Sequence, residues 1–170
     1  MAEQRATERL LPSLLDRLTD EAPDKKQEVR DQSHMNLRRL REAVLRDLSW
    51  LFNATDLGSS VDLDDYPEVR RSVINYGLPS LAGYTASGME VPELERTIRQ
   101  TILNFEPRLI ANSVKVRALL AESQLDHNLI AFEINGQLWA EPLPENLYLK
   151  TEVDFENGDI TVSEYTGGRS

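Results

Sequence analysis

The chain changes its hydrophobic period at residue 107, and this change constrains the fold more than any other feature. Over residues 94–105 apolar side chains recur every three or four positions, which is typical of a helix with one buried face. Over residues 114–120 they alternate with polar side chains, as in a strand with one buried face. Pro107 separates the two patterns, because the residue before a proline avoids helical backbone angles. The sequence therefore predicts a helical half followed by a sheet.

The residues after 113 predict an antiparallel sheet made of sequential hairpins. Alternating segments run over residues 130–134 and 147–155. Asn135-Gly136 and Asn157-Gly158 are dipeptides that favour tight turns between antiparallel strands. We therefore predict the α+β class, with amino-terminal helices packed on an antiparallel β-meander of four to five strands.

Three further helices are predicted before the helix that ends at Pro107. The strongest covers residues 36–53, where a leucine-rich stripe is opposed by arginines on the other sides. Those arginines predict either a solvated face or contact with an acidic protein partner. A shorter helix is predicted over residues 9–18, and another from Asp65 or Tyr66 to Gly77, which would adopt a left-handed cap.

The domain organisation follows from where the patterns begin and end. Residues 20–35 are charged and carry no apolar period, which predicts a polar linker. We expect an amino-terminal helix and linker over residues 1–35, a single α+β domain over residues 36–165, and a disordered tail over residues 166–170.

The charge balance excludes some classes of partner. The formal net charge is −10, and nucleic-acid binding requires a basic surface, so nucleic acid is excluded. No run of about 18 apolar residues occurs, which argues against direct membrane insertion. There are no cysteines, and therefore no disulfide framework. We expect a cytoplasmic protein.

Little in the sequence supports catalysis. No established catalytic motif or phosphate-binding glycine loop occurs. His34 and His127 lie in polar stretches, whereas a metal site needs three or four converging ligands. A glycoside hydrolase could use Glu106 with Glu133, but nothing in their spacing brings them together. We expect no catalytic residue, no metal site and no cofactor.

Glu106-Pro107-Arg108 places an acid and a base where the helix gives way to the sheet. Three interpretations remain open from the residues alone. The tripeptide could end the helix with both charges in water. Arg108 could form an internal tie to Glu106 or to a helix carboxyl end, since guanidinium forms paired hydrogen bonds in fixed geometry. The two charges could instead dock onto another protein and set its register.

The edges of the predicted sheet offer a second route to a partner. An outer strand has unpaired N–H and C=O groups that can accept a strand from another chain. Charged residues on the outer faces, such as Lys150, Glu152 and Asp154, could equally prevent such pairing. The sequence does not decide between these two roles.

Several segments resemble the TssE family, the baseplate proteins of bacterial type VI secretion systems. The family is similar to the sheath initiator of T4-type phage baseplates. "SVINYGLPSLAG" at residues 72–83 and "ILNFEPRL" at residues 102–109 resemble its hallmark segments. Residues 9–18 and 36–55 resemble its amino-terminal half.

This resemblance implies a structural subunit without enzymatic activity. Family members join wedges with TssF, TssG and TssK and template the first ring of the sheath proteins TssB and TssC. The resemblance places wedge assembly on Glu106, Pro107 and Arg108. It places sheath docking, by strand addition to a sheet edge, on the last strands, with the candidate residues Leu147, Leu149, Thr151, Val153, Phe155, Ile160 and Val162. The expected location is the cytoplasm, in a membrane-docked baseplate.

A second functional class uses a similar fold. Some cytoplasmic anti-adaptors resemble the phage protein and bind a proteolysis adaptor. Such a regulator would need neither the NYGLP segment nor the intact Glu-Pro-Arg tripeptide, and both are present here. The structural role is therefore favoured.

Overall fold

The computed structural model describes residues 13–19, 24, 37–81, 90–119, 129–140 and 143–165 of the 170-residue chain. Within these ranges helices precede strands, which confirms the α+β prediction. The helices are α1 (Leu14–Leu18), α2 (Leu37–Phe52), α3 (Pro67–Arg70) and α4 (Val91–Phe105). The strands are β1 (Lys115–Leu119), β2 (Leu129–Leu138), β3 (Glu145–Asp154) and β4 (Ile160–Glu164).

The four strands form one antiparallel sheet in the order β1-β2-β3-β4. The central pair is the longest, since β2 and β3 pair from Leu129 opposite Asp154 to Leu138 opposite Glu145. The two outer strands, β1 and β4, are both five residues long. Each of the central strands is therefore hydrogen-bonded on both sides over part of its length, whereas β1 and β4 have one outward edge.

The prediction of a hairpin turn at Asn135-Gly136 is wrong. Both residues lie inside β2, where Asn135 pairs with Tyr148 and Gly136 with Leu147. A Cβ at Gly136 would lie 3.3 Å from Cδ2 of Leu109, so this glycine permits close packing of the segment that follows α4. Tertiary packing, and not turn formation, explains this glycine. The second dipeptide is confirmed as a turn between β3 and β4.

The helix predicted to reach Gly77 is much shorter than expected. α3 ends at Arg70, and a separate 3-10 turn follows. The hydroxyl of Ser72 donates to the Val69 carbonyl and accepts from the Ile74 N–H, which offers the backbone bonds that compete with a continuing helix. The interruption leaves Val73 80% exposed in the 3-10 turn, outside the helix that was predicted to extend over it.

Gly77 has a positive φ of 130°, as predicted, but for a reason other than helix capping. A Cβ at this position would overlap the carbonyl oxygen of Ala54. This close approach permits a short parallel bridge between Thr55 and Leu78, in which the Leu78 N–H donates to Ala54 and the Leu78 carbonyl accepts from Asp56. The bridge joins the chain after α2 to the segment that precedes α4.

The core lies between the two long helices and one face of the sheet. α2 packs against β4, and α4 packs against β1. Both predicted helical stripes are buried, and together with the sheet they supply the fully buried side chains Val44, Leu48, Ile98, Ile102, Phe132, Ile134, Leu149 and Phe155. Burial of apolar side chains of this size contributes about 1.5–3 kcal/mol each to folding. Each long helix thereby comes to lie beside one outer strand.

The amino-terminal helix contributes little to this core. α1 has no buried residue, and Leu14 and Leu18 are largely exposed. Its start is capped by Ser13, whose side chain accepts from the Asp16 N–H. Residues 9–12 of the predicted helix, nearly all of the predicted linker and the tail at 166–170 lie outside the described residues.

Candidate functional site

The Glu-Pro-Arg tripeptide lies where α4 meets the carboxyl-terminal end of β2. The N–H of Glu106 donates to the Ile102 carbonyl at 2.8 Å and completes the last turn of α4. The Trp139 N–H then donates to the Arg108 carbonyl, also at 2.8 Å. Two residues further on, the Ile110 N–H donates to the Gln137 carbonyl. The tripeptide is therefore bonded to both the helical layer and the sheet.

Glu106 and Arg108 form a close, largely buried ion pair. Nε of Arg108 donates to Oε1 of Glu106 at 2.7 Å, and Nη2 donates to Oε2. The backbone N–H of Arg108 also donates to Oε1, at 3.1 Å. The Glu106 side chain is only 3% exposed, so the interpretation in which both charges face water is wrong. The geometry is that of the second interpretation, in which Arg108 forms an internal tie to Glu106.

The pair continues into a chain of alternating charges. Nη2 of Arg108 donates to Oδ2 of Asp47 on α2 at 2.7 Å. Oδ1 of Asp47 accepts from Nε of Arg46 at 2.8 Å, and Nη1 of Arg46 donates to Oδ1 of Asp16 on α1 at 2.6 Å. We call these five residues the junction network. It links α1, α2 and the end of α4 through three carboxylates and two guanidinium groups.

The surroundings of Arg108, Arg46 and Asp16 favour the charged form of each. Burial opposes the charged form of Arg108, but hydrogen bonds and charges from Glu106 and Asp47 raise its pKa above the ordinary value. Asp16 and Asp47 raise the pKa of Arg46 in the same way, against its burial. Burial favours the neutral form of Asp16, yet hydrogen bonds from Arg46 and Ser13 lower its pKa overall.

Tyr76 brings the NYGLP segment into contact with the end of α4, next to the junction network. Its ring packs edge-on against Phe105, with ring centroids 5.4 Å apart. Burial, and then the charges of Asp47 and Glu106, raise the pKa of Tyr76, so its hydroxyl stays neutral. The two segments that carry the family resemblance are therefore neighbours in space. Within the first of them, buried Asn75 bonds the Gly58 N–H and the carbonyl of Arg70.

Sequence reasoning included Glu106 among the possible partners of Arg108 but missed Asp47. It treated the arginines of α2 as solvated or as contacts for another protein, and this is wrong for Arg46. It is also wrong for Arg41, which bonds Glu164, Glu145 and the Asn146 carbonyl. Asp47 gave only a weak signal, an acid beside Arg46 on an arginine-rich helix.

The candidate docking residues belong to β3, which is an inner strand of the sheet, to β4, which is an outer strand, and to the turn between them. β3 lies between β2 and β4, so its backbone has a partner strand on each side. Most of the candidate side chains face the core: Leu147, Leu149, Thr151, Val153, Phe155 and Ile160 are buried, and Val162 is partly buried. Strand addition at this side of the sheet can therefore involve only the backbone of β4.

Alternate residues of β4 point their backbone groups outward. The Asp159 carbonyl accepts from Asp154, and the Tyr165 N–H donates to Tyr148, so odd-numbered residues bond to β3. The outward groups therefore belong to the even-numbered residues Ile160, Val162 and Glu164. Both groups of Ile160 bond to the side chain of Asn53. The main-chain groups of Val162 and Glu164 have no hydrogen-bond partner among the described residues.

The outer edge of β1 is bonded to a neighbouring helix. The Ala118 N–H donates to Oε1 of Glu95 at 2.7 Å, and the Val114 carbonyl accepts from Nε of Arg99 at 3.0 Å. Both side chains come from α4, which packs along this strand. An incoming strand would have to displace these two bonds.

The described part of the chain holds no cluster of three or more histidine, cysteine or acidic residues that could bind a metal ion. None of the helices found there is sufficiently long and apolar to cross a membrane. His34 and His127 fall outside the described ranges.

Comparison with known protein families gives a match over the two long helices and the first half of the sheet. A family model described as baseplate wedge protein gp25 matches residues 38–143, more than half of the chain. The matched stretch includes α2, α4, the tripeptide, β1 and β2, and it ends before β3. No curated protein and no solved structure matches the chain significantly.

Proposed function

The chain belongs to the family of the baseplate wedge protein gp25, and we propose that it acts there as a TssE-type subunit of a bacterial type VI secretion baseplate. A structural role in a baseplate, in association with other baseplate proteins, follows from the family. The proposal adds two specific tasks, which are attachment to the wedge proteins TssF, TssG and TssK and initiation of the contractile sheath of TssB and TssC. Both tasks belong to the cytoplasmic side of a membrane-docked assembly.

The junction network supports the wedge task. Pro107 is exposed, and Arg108 keeps about a quarter of its side chain in solvent (24%) while Glu106 and Asp47 hold it. A partner would therefore meet a proline and a guanidinium edge whose positions are already fixed. Such preorganisation lowers the entropic cost of ordering an interface.

The outer edge of β4 supports the sheath task. Main-chain N–H and C=O groups of Val162 and Glu164 point outward without a bond to any residue that the structure describes, and these groups carry the proposal. An extended segment of a sheath subunit would bond to them and continue the sheet, which is β-strand addition. The bonds from α4 to β1 leave β4 as the edge that accepts a strand at lower cost.

A proline substitution tests strand addition. Val162→Pro removes an outward N–H that β3 does not use, and the ring obstructs an approaching strand. We expect this variant to lose the ability to seed TssB–TssC polymers, measured by co-sedimentation and electron microscopy. It should still co-purify with TssF, TssG and TssK, because the tripeptide is unaltered.

The matched control is Thr161→Ala on the same strand, which changes an exposed side chain and keeps every backbone group. It should seed sheath polymers as the wild type does. Seeding by a folded Val162→Pro protein at the wild-type rate would overturn the strand-addition proposal. Capture of a proteolysis adaptor without any wedge or sheath protein would instead favour the anti-adaptor function.

A further inference from the structure

We infer that the side chain of Asn53 sets the register of the strand that β4 accepts, by occupying the edge position at Ile160. This inference rests on the proposed strand addition and specifies where the added strand ends. Asn53 directly follows α2, and its own N–H donates to the Ser49 carbonyl at the end of that helix. The helix therefore holds the residue in place.

The Asn53 side chain satisfies both outward backbone groups of Ile160. Its Oδ1 accepts from the Ile160 N–H at 2.9 Å, and its Nδ2 donates to the Ile160 carbonyl at 2.8 Å. The second hydrogen of Nδ2 is directed to the Ser49 carbonyl, also at 2.8 Å. Three of the hydrogen bonds that the amide can make are thus formed within the chain.

This amide takes the place of a neighbouring strand. In an antiparallel hydrogen-bonded pair, one residue receives an N–H bond from its partner and returns one to it. A primary amide has the same donor and acceptor and can supply both bonds from one side chain. An incoming strand would have to break two bonds at Ile160, whereas the groups at Val162 and Glu164 require no such exchange.

The other end of β4 is also bonded to this part of the molecule, by Arg41 of α2. There the bond goes to the side chain of the strand residue and not to its backbone. Nη1 of Arg41 donates to Oε1 of Glu164 at 3.2 Å. This bond uses the Glu164 side chain, and the main-chain groups of Glu164 bond to none of the described residues. α2 and the residue that follows it therefore bond to both ends of β4, and they occupy its outward backbone groups only at Ile160. The open positions begin at Val162, and the added strand must end beside Asn53.

Residue-resolved amide hydrogen exchange on the full chain tests this assignment, with purified TssB–TssC as the partner. In the free protein, Asn53→Ala should speed exchange of the Ile160 amide by about threefold to tenfold, the equivalent of one lost hydrogen bond. In the wild-type complex, the amides of Val162 and Glu164 should slow by more than about tenfold. The Ile160 amide should change by less than about threefold.

The variant complex gives the decisive comparison. With Asn53→Ala, the partner should protect Ile160 as strongly as Val162 and Glu164, because the added strand extends by one bonded pair. Asn104→Ala, an exposed asparagine of α4, is the matched control and should behave as the wild type.

Each other outcome has a defined meaning. Strong additional protection of Ile160 in the wild-type complex would overturn the role of Asn53 and leave strand addition standing. The role of Asn53 would also be overturned if the partner did not protect the Ile160 amide in the variant complex. The same conclusion would follow if Asn53→Ala did not change exchange of the Ile160 amide in the free protein. If neither Val162 nor Glu164 gains protection from the partner, strand addition itself is wrong, and the inference about Asn53 fails with it. The wild-type measurement decides the register even if the variant does not fold.

Discussion

The two outer strands of the sheet have the same length but differ in how their outward backbone groups are satisfied. On β1, carboxylate and guanidinium groups of α4 bond to Ala118 and Val114. On β4, Asn53, the residue directly after α2, bonds the backbone of Ile160, and the next two outward residues have no bond within the described part of the chain. Among the described residues, the side chains of α4 therefore bond one backbone group at Ala118 and one at Val114, whereas Asn53 bonds both outward groups of Ile160 and the next two outward residues of β4 are left open.

This difference shows how a helix can control a sheet edge without adding a strand. Exposed edges favour unwanted pairing between chains, and side chains that bond to the edge reduce that risk. Because the helices α4 and α2 serve different edges, their relative position decides what each edge presents. The junction network fixes that position, since Arg108 bonds both Glu106 at the end of α4 and Asp47 on α2.

The largest expected effect comes from breaking this tie. Arg108→Ala leaves the buried carboxylate of Glu106 without its ionic partner, and removing one member of a buried pair usually costs about 3–5 kcal/mol. Since Arg108 is partly exposed, we expect the free energy of unfolding to fall by about 2–4 kcal/mol. Chemical denaturation at neutral pH measures it. Both sheet edges should become less ordered, which hydrogen exchange would detect.

Two further variants make this first prediction sharper. Adding Glu106→Gln to Arg108→Ala should recover part of the loss, because the uncompensated charge is gone. Arg38→Ala removes an exposed ion pair with Glu42 and should change stability by less than about 0.5 kcal/mol. Equal losses for Arg108→Ala and Arg38→Ala would show that burial of the pair has no energetic consequence.

A pair of proline substitutions compares the two edges directly. Ala118→Pro removes the N–H that donates to Glu95, and we expect a loss of about 2–3 kcal/mol. Val162→Pro removes an N–H that bonds to no described residue, and we expect a loss of about 1 kcal/mol, mainly from altered packing. Thermal and urea unfolding of both variants would measure the difference. If Val162→Pro proved the more costly, the outer edge of β4 would be engaged within the chain after all.

The smallest effect concerns the far end of the junction network. The folded state lowers the pKa of Asp16 below its ordinary value of 3.8, so the unfolded chain binds its proton first as the pH falls. Its contribution is present in full above that value and is lost as the pH falls through the lower folded-state pKa. Asp16→Asn should therefore cost about 0.2–1 kcal/mol above pH 5 and progressively less towards acid pH.

Acid titration of stability, followed by circular dichroism, measures this dependence, with Asp24→Asn on an exposed residue as the control. A constant difference between wild type and Asp16→Asn from neutral pH to pH 2 would contradict the bond between α1 and Arg46.

Periodicity predicted the parts of the fold that depend on one element at a time. The stripes of α2 and α4 and the alternation of β3 were sufficient to predict an α+β fold with an antiparallel sheet. Asn135-Gly136 misled because the same dipeptide suits a turn and a close contact, and only the position of Leu109 distinguishes the two. α3 was predicted too long because the pattern could not weigh the backbone bonds of Ser72.

The candidate sites show a similar division. The sequence identified Glu106 and Arg108 as a possible internal tie, because residues two apart can meet wherever the chain turns. It could not supply Asp47, which is 61 residues away from Arg108. It could not choose an edge strand either, since the answer depends on side chains of α2 and α4 that approach from other parts of the chain. Long-range contacts of this kind do not change the hydrophobic periodicity of the sequence, so periodicity cannot predict them.

The backbone route from helix to sheet has a mechanical consequence. Arg108 of the tripeptide bonds to Trp139, just after β2, and Ile110 bonds to Gln137 within β2, so the connection between the two layers is short and hydrogen-bonded. Tension applied along the sheet would reach the helices through this short path and through the ion pairs at the same time. The connection between the layers should therefore lengthen little under such a load.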